Sequence, residues 1–416
     1  MRVRVGRGVF GRRGFFVCLY NSLHLVFGLA LFCCGSLHQP FRRVVTTMIA
    51  SLMPNNIYEH LAARVLGQEA ALRAISVAIY KHINHIGGAR ILMIGNSGTG
   101  KTTIMQAIEE FYAAHESLAE FRAMTIMNAR TLLDEAGDVD TFAVFRSLEN
   151  RVAAMLGEKR APRDVQVLME NATVCLDEID KISGKIAGKS DVTGMRLQQA
   201  LLTFIEGERF LYRARVHAQG AERYAKLPIN TRNILFVCGG AFEELYDQVY
   251  ARVDNKEDER RLKEVRVYDK TSGMKSTILF TLRDYLKMSD LFYYGMAPQF
   301  LSRFGSIAML DDLGRETLQR ILLHSKDSPF NQSRTYFKTM DIDLRITDEA
   351  VDLVVSQAAD NTRLGARALR EVFSRVIMDL EFDPFDSGAL RDGENGTRVL
   401  EIDAGMVDAA LQSWEE

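Results

Sequence analysis

The chain has 416 residues, 47% hydrophobic and 25% charged, with a formal net charge of −2. That is ordinary globular composition; it excludes a disordered or fibrous chain and leaves room for two or three domains. The near-neutral balance gives no global argument for a nucleic-acid partner. Five cysteines (Cys18, Cys33, Cys34, Cys175, Cys238) with no C-x-x-C pair indicate neither a zinc site nor a disulfide framework.

Residues 1–57 differ from the rest. No Asp or Glu precedes Glu59, and Arg2, Arg4, Arg7, Arg12 and Arg13 lead into an apolar run from Phe15 to Cys34. Three readings stay open: a signal peptide or membrane anchor, an organelle transit peptide, or upstream sequence before a true start at Met48 or Met53. From Tyr58 the chain becomes amphipathic. Glu69 to Ile86 has apolar residues at helical spacing, and its His82 and His85 read as part of a polar face.

Ile91 to Ile94 is a short apolar run that reads as a buried parallel strand. It is followed by Gly95-Asn96-Ser97-Gly98-Thr99-Gly100-Lys101-Thr102, the G-x-x-x-x-G-K-[ST] phosphate loop, and Thr102-Thr103-Ile104 opens a helix. The glycines let backbone N–H groups point at phosphate oxygens, and the helix N-terminus adds positive potential. Lys101 is expected to reach the β- and γ-phosphates of ATP, and the Thr102 hydroxyl to hold Mg²⁺. Val174 to Glu178 is an apolar strand ending in two acids. Asp177 is placed to hold the Mg²⁺ through water, and Glu178 to polarise the attacking water.

Between these motifs, Phe121 to Met127 reads as a strand, Asn128 to Gly137 as a short helix and turn, and Gly137-Asp138-Val139-Asp140 as an acidic loop. Helices are expected over 141–156, 164–171 and 192–206. Arg213 to Arg223 reads as a basic polar loop, Asn233 to Gly240 as a third apolar strand, and Asp254 to Lys275 as a charged, mobile insertion. This alternation of strand and helix predicts a doubly wound parallel α/β sheet. A composition break near Leu310 divides an ATPase domain (58–310) from a small, mostly helical C-terminal domain (311–416). In the latter, helices are expected over 314–324, 348–359 with Thr347 as N-cap, 364–382 and 406–414. The stretch up to Lys338 reads as polar, and Val399 to Ile402 as a strand.

From Tyr58 onward the chain resembles the ClpX-like AAA+ ATPases of the Clp/HslU unfoldase family. The resemblance rests on Leu66-Gly67-Gln68, the acidic run Leu176 to Ser183, Val192 to Gly207, Asn233 to Phe242, Pro298 to Arg303 and Gly365-Ala366-Arg367. It implies that Leu66, Gly67 and Gln68 contact adenine and that Arg303 acts in trans on a neighbour's nucleotide. It also implies that Arg367 senses the γ-phosphate, and that the protein is a homo-hexamer remodelling a protein substrate in the cytoplasm. The compartment becomes a mitochondrial or other organelle lumen if residues 1–57 are a transit peptide. Membrane contact is expected only if that leader is retained, and no nucleic-acid partner is expected.

The departures are equally specific. The family has a zinc-binding N-terminal domain, and the cysteine pattern for it is not found in this sequence. Gly137-Asp138-Val139-Asp140 stands where the family carries Gly-Tyr-Val-Gly, which grips substrate. No isoleucine- or leucine-Gly-Phe tripeptide for peptidase docking occurs between Phe242 and Phe300. Arg215-Val216-His217 resembles the family's basic second pore loop only weakly. These departures point to a remodeller independent of a peptidase. Two alternatives from other classes are a nucleic-acid AAA+ motor or loader and a nucleotide-gated assembly factor.

Overall fold

A computed structural model describes residues 52–412, apart from 135, 141, 187, 219, 256–261, 270–272, 361–363, 386–387 and 394–397. Most of the leader therefore lies outside the described residues, as does the end of the last expected helix. Among the described residues no helix is long and apolar enough to cross a membrane.

Helix α1 (Pro54–Ala62) starts on a proline, whose fixed φ suits a first helical turn, and α2 (Glu69–Ile83) follows. The expected polar face of α2 is corrected at His82, which is buried. Its Nδ1 lies 2.7 Å from the Asn233 carbonyl and so carries the proton, and its ring packs edge-on to Phe121 and Tyr112. Burial lowers its pKa to about 4. Among the described residues no three His, Cys, Asp or Glu side chains group as metal ligands.

The main sheet is built from β1 (Arg90–Ile94), β2 (Met124–Asn128), β3 (Thr173–Asp177), a strand at Leu235–Gly240 and one at Ser306–Met309. All neighbours are parallel; in space the order is 306–309, β1, 235–240, β3, β2. Side chains alternate across it. Leu92, Ile94, Val174, Leu176, Phe236 and Cys238 share one cluster with Phe145 and Leu148 of the helix Ala143–Leu156 and with Leu197 and Phe204 of the helix Val192–Ile205. Helix α2 and the helix Lys101–Ala114 also pack on the sheet. A parallel sheet covered by helices needs strands apolar on both sides, which explains the continuous apolar runs. Cys175 and Cys238 are buried there as small core residues, and burial pushes both thiols up.

Three expected irregular stretches are regular. The basic polar loop is a hairpin, Arg209–Ala218 against Ala221–Asn230. Its inward residues Tyr212, Ala214, Val216, Leu227 and Ile229 are buried, so alternation, hidden among the arginines, decided the outcome. The charged insertion contains a second hairpin, Lys263–Asp269 against Gly273–Leu279. The polar stretch before Lys338 is a helix, Pro329–Lys338, capped by Ser328, whose hydroxyl accepts from the Asn331 N–H at 3.1 Å.

After the main sheet, a second core gathers Leu318, Leu322, Phe330, Phe337, Val351, Val354, Leu369, Phe373, Leu400 and Ile402. Its helices are Arg315–His324, Pro329–Lys338, Asp348–Ala359, Ala366–Phe382 and Ala404–Gln412. Thr347 caps the third, accepting from the Ala350 N–H. A three-stranded sheet also belongs here: Ile342–Ile346 runs parallel to Arg398–Ile402, which pairs antiparallel with Leu390–Asp392. The C-terminal part is thus mostly helical, as expected, with a small sheet added to these five helices.

Candidate functional site

Ligands of open parallel sheets sit beyond the carboxyl ends of the strands. Here those ends bring together Gly95 after β1, Asn128 at the end of β2, Asp177 at the end of β3 with Glu178 after it, and Ala241 after Leu235–Gly240. Asp177, Glu178 and Ala241 line a cavity of about 910 Å³, which the second core closes from the other side.

The phosphate loop curls as its glycines allow. Gly98 and Gly100 have φ values of 71° and 101°, in the left-handed region. Gly98 has a second constraint: an added Cβ would lie 2.1 Å from the Leu364 carbonyl. Its own carbonyl accepts from the Ala366 N–H at 3.1 Å, so the second core touches the loop directly through backbone. Ser97 Oγ accepts from Arg367 Nη1 at 2.6 Å. Ser97, Gly98, Thr99, Gly100, Lys101, Thr102, Thr103 and Arg367 therefore all border one space.

Lys101 is buried and donates to the carbonyls of Gly95 and Asn96 at 2.6 and 2.8 Å. Burial lowers its pKa to about 8. The nearby carboxylates of Asp177 and Asp180 offset that burial only in part, and the ammonium's hydrogen bonds go to neutral carbonyls, so phosphate oxygens are a fitting further partner. Thr102 Oγ1 donates to Asp177 Oδ2 at 2.7 Å. That hydroxyl–carboxylate pair is an oxygen-only donor set, suited to Mg²⁺ completed by water and phosphate. The residues present fit both ATP and Mg²⁺.

Glu178 follows Asp177 with φ 54°, a left-handed conformation rare for a side chain of this kind. Its Oε2 accepts from Asn128 Nδ2 at 2.5 Å. Asn128 was not singled out in the sequence. The signal was its register, opposite Asp177 on the neighbouring strand, which no local pattern reveals. Asp180, Arg64 and Arg370 also line the cavity and were not anticipated.

The expected adenine segment divides. Leu66 lines the cavity. Gly67 faces Thr317, whose methyl would lie 2.5 Å from an added Cβ. Gln68 is buried, and its amide bonds the Thr99 carbonyl and both backbone groups of Asp311. Asn96 likewise turns away, donating to Asp312 Oδ1 at 2.8 Å. Gly67, Gln68 and Asn96 hold the wall rather than line it, and Gly95 packs against Leu310.

Arg303 is not at this cavity. It follows the short helix Pro298–Leu301, is 44% exposed, and donates to Glu206 Oε1 at 2.5 Å. Arg215 is not free either. Its backbone and side chain both bond Glu149, its Nη2 bonds Asn150, Val216 is buried, and the His217 N–H goes to the Arg160 carbonyl. The weak correspondence to a second pore loop therefore falls on an anchored strand. In the acidic turn, Asp134 Oδ1 accepts from the N–H groups of Ala136 and Asp138, and Asp140 pairs with Arg146. That partner holds the Asp140 carboxyl below its usual range. Asp138 is exposed and has no ion pair among the described residues.

The model of the AAA domain (Cdc48 subfamily) matches residues 88–307, more than half of the chain. The ATP-dependent Clp protease ATP-binding subunit ClpX of Treponema denticola is 31% identical over 347 residues, covering 79% of this chain and 77% of the relative. The ClpX subunit of Porphyromonas gingivalis is 30% identical, and that of Bacteroides thetaiotaomicron 29%, each over the same shares of both chains. The chain belongs to the ClpX-like AAA+ ATPases. It is therefore a nucleotide-binding ATPase.

Proposed function

We propose that this chain hydrolyses ATP within a homo-hexameric ring and remodels a protein substrate without an attached peptidase. The observation that carries the ring is Arg303, exposed and away from its own cavity, while Lys101, Thr102, Asp177, Glu178 and Arg367 border it. A cation so placed serves a phosphate on another copy. The absent docking tripeptide supports independence from a peptidase.

In this reading Lys101 neutralises the β- and γ-phosphates, and Thr102 and Asp177 hold Mg²⁺. When bound there, the metal would supply positive charge to offset that of the phosphates. Glu178 takes the proton of the attacking water, and its bond to Asn128 orients the carboxylate. Arg367 links the γ-phosphate to the C-terminal part, so hydrolysis changes the angle between the two parts. The place of work is a compartment that holds ATP: the cytoplasm, or an organelle lumen if the leader is a transit peptide.

The test is a substrate trap. Glu178→Gln should bind ATP but turn it over about 10²–10⁴-fold more slowly, and the tagged ring should retain one dominant protein partner. Many unrelated clients together with a barrel peptidase would overturn the peptidase-independent reading. Normal turnover would remove Glu178 from its role. A second reading, a nucleic-acid motor, is favoured by the outward face of the first hairpin. There Arg209, Arg213 and Lys226 are exposed and the Arg213 guanidinium lies 4.6 Å from the Tyr224 ring. Salt-dependent DNA binding by the trap would bring that reading forward.

A further inference from the structure

One arginine sits where three parts of the molecule meet. Arg64 follows α1 and, with Leu66, lines the cavity. Although charged, it is only 20% exposed on its side chain. Its Nη1 donates to Glu110, and its Nη2 to Gln106 Oε1 at 3.1 Å and to Asp327 Oδ2 at 2.9 Å. Gln106 and Glu110 stand four residues apart on Lys101–Ala114, so they share a face of the helix that begins at the phosphate-loop lysine. Asp327 belongs to the other core, on the turn between Arg315–His324 and Pro329–Lys338. Ser325, Ser328 and Gln332, which flank Asp327, also line the cavity.

A single planar cation thus joins the phosphate-loop helix to the C-terminal wall. The chemistry favours arginine: a fork with several donors reaches three acceptors at once, whereas an ammonium on a flexible stem does not hold them in one geometry. Without it, the carboxylates of Glu110 and Asp327 would be left as two like charges across the same seam, with no cation between them. The seam matters because the C-terminal wall also carries Arg367, which reaches Ser97. The wall is therefore held to the phosphate loop by Arg367 and to the phosphate-loop helix through Arg64.

We propose that Arg64 is a positioning residue for the bound nucleotide: by tying Glu110 to Asp327 it keeps the C-terminal wall closed over the cavity and slows nucleotide release. The proposal rests on the nucleotide reading above. Arg64 acts through the wall and not on the reacting phosphate, so it governs release more than chemistry.

The experiment is a stopped-flow chase of N-methylanthraniloyl-ADP from the full chain at low and high salt. Arg64→Gln and Asp327→Asn should each speed release about five- to tenfold, the range of a modest coupling between two parts. The double variant should release no faster than the faster single variant, because both changes break the same tie. Arg64→Lys should fall between parent and Arg64→Gln. Salt should speed release less in the variants than in the parent, since the screened pair is already gone. Asp327→Asn is a near-isosteric change at an exposed position, so it decides the matter should Arg64→Gln fail to fold. Release from Asp327→Asn within about twofold of the parent, or single effects that simply add, would overturn the tie. Failure of the parent to bind the fluorescent nucleotide at all would instead overturn the nucleotide reading.

Discussion

The nucleotide cavity and the turn from Gly137 to Asp140 compare differently with the resemblance read from the sequence. Around the cavity the charged groups remain and engage one another: Lys101 on its loop carbonyls, Thr102 on Asp177, Glu178 on Asn128, Arg367 on Ser97. In the turn the backbone is held by Asp134 and the Leu133–Val139 bridge, yet the exposed residue has become Asp138 where the resemblance expects an aromatic. The contrast separates two jobs. Hydrolysis needs several groups in fixed mutual geometry, so no single member changes without losing the whole. A surface that touches substrate acts residue by residue, so its chemistry can be replaced while the turn keeps its shape.

Three experiments would break or sharpen that contrast. The largest effect is expected at Arg303. Arg303→Ala should lower ATP turnover of the assembled protein by about 10³-fold or more. Mixing it with Lys101→Ala subunits should restore part of the activity. The first kind keeps an intact cavity and the second lends its arginine. Failure to complement while mixed rings form would place Arg303 outside the reaction.

A smaller effect concerns Lys101, whose burial sets its pKa near 8 in the free chain. Bound phosphates favour the charged form, so affinity should fall as pH rises through that value. From pH 7 to pH 9 the dissociation constant for ATP should rise about tenfold. Fluorescence titration at three pH values checks this, and a flat profile would remove Lys101 from phosphate binding.

The smallest effect is expected in the turn. Asp138→Asn should shift the balance between acidic and basic peptides as stimulators of ATP turnover by about two- to threefold, in favour of the acidic ones, the size of one exposed charge. Equal preference before and after the change would mean that Asp138 does not face the substrate.

Stability offers a separate check on how much the sequence concealed. His82 read as part of a polar face because its neighbours in the chain are polar, yet it fills a space between Phe121 and Tyr112 and must stay neutral. Local periodicity does not weigh one residue against a fold; packing from Phe121 and the Asn233 carbonyl did. The first hairpin was missed for a related reason: charged residues alternate with its apolar ones, and only the partner strand shows that Tyr212, Ala214 and Val216 form an apolar row. Helix Pro329–Lys338 was concealed by its polar outer face, since only Phe330, Ser333 and Phe337 turn inward.

What the sequence determined by itself was the chemistry that local spacing encodes: a phosphate loop between a strand and a helix, two acids at a strand end, and the apolar runs that make a covered parallel sheet. Those features depend on neighbours within a few residues, where backbone geometry leaves little choice. The tertiary structure decided which distant groups meet. It set Asn128 on Glu178 through strand register, Gln68 on Asp311 beneath the loop, Arg64 between Glu110 and Asp327, and Arg303 away from its own cavity. Each pairing joins residues 40 or more positions apart, and that separation is closed by strand register and by packing within and between the two cores rather than by any local signal.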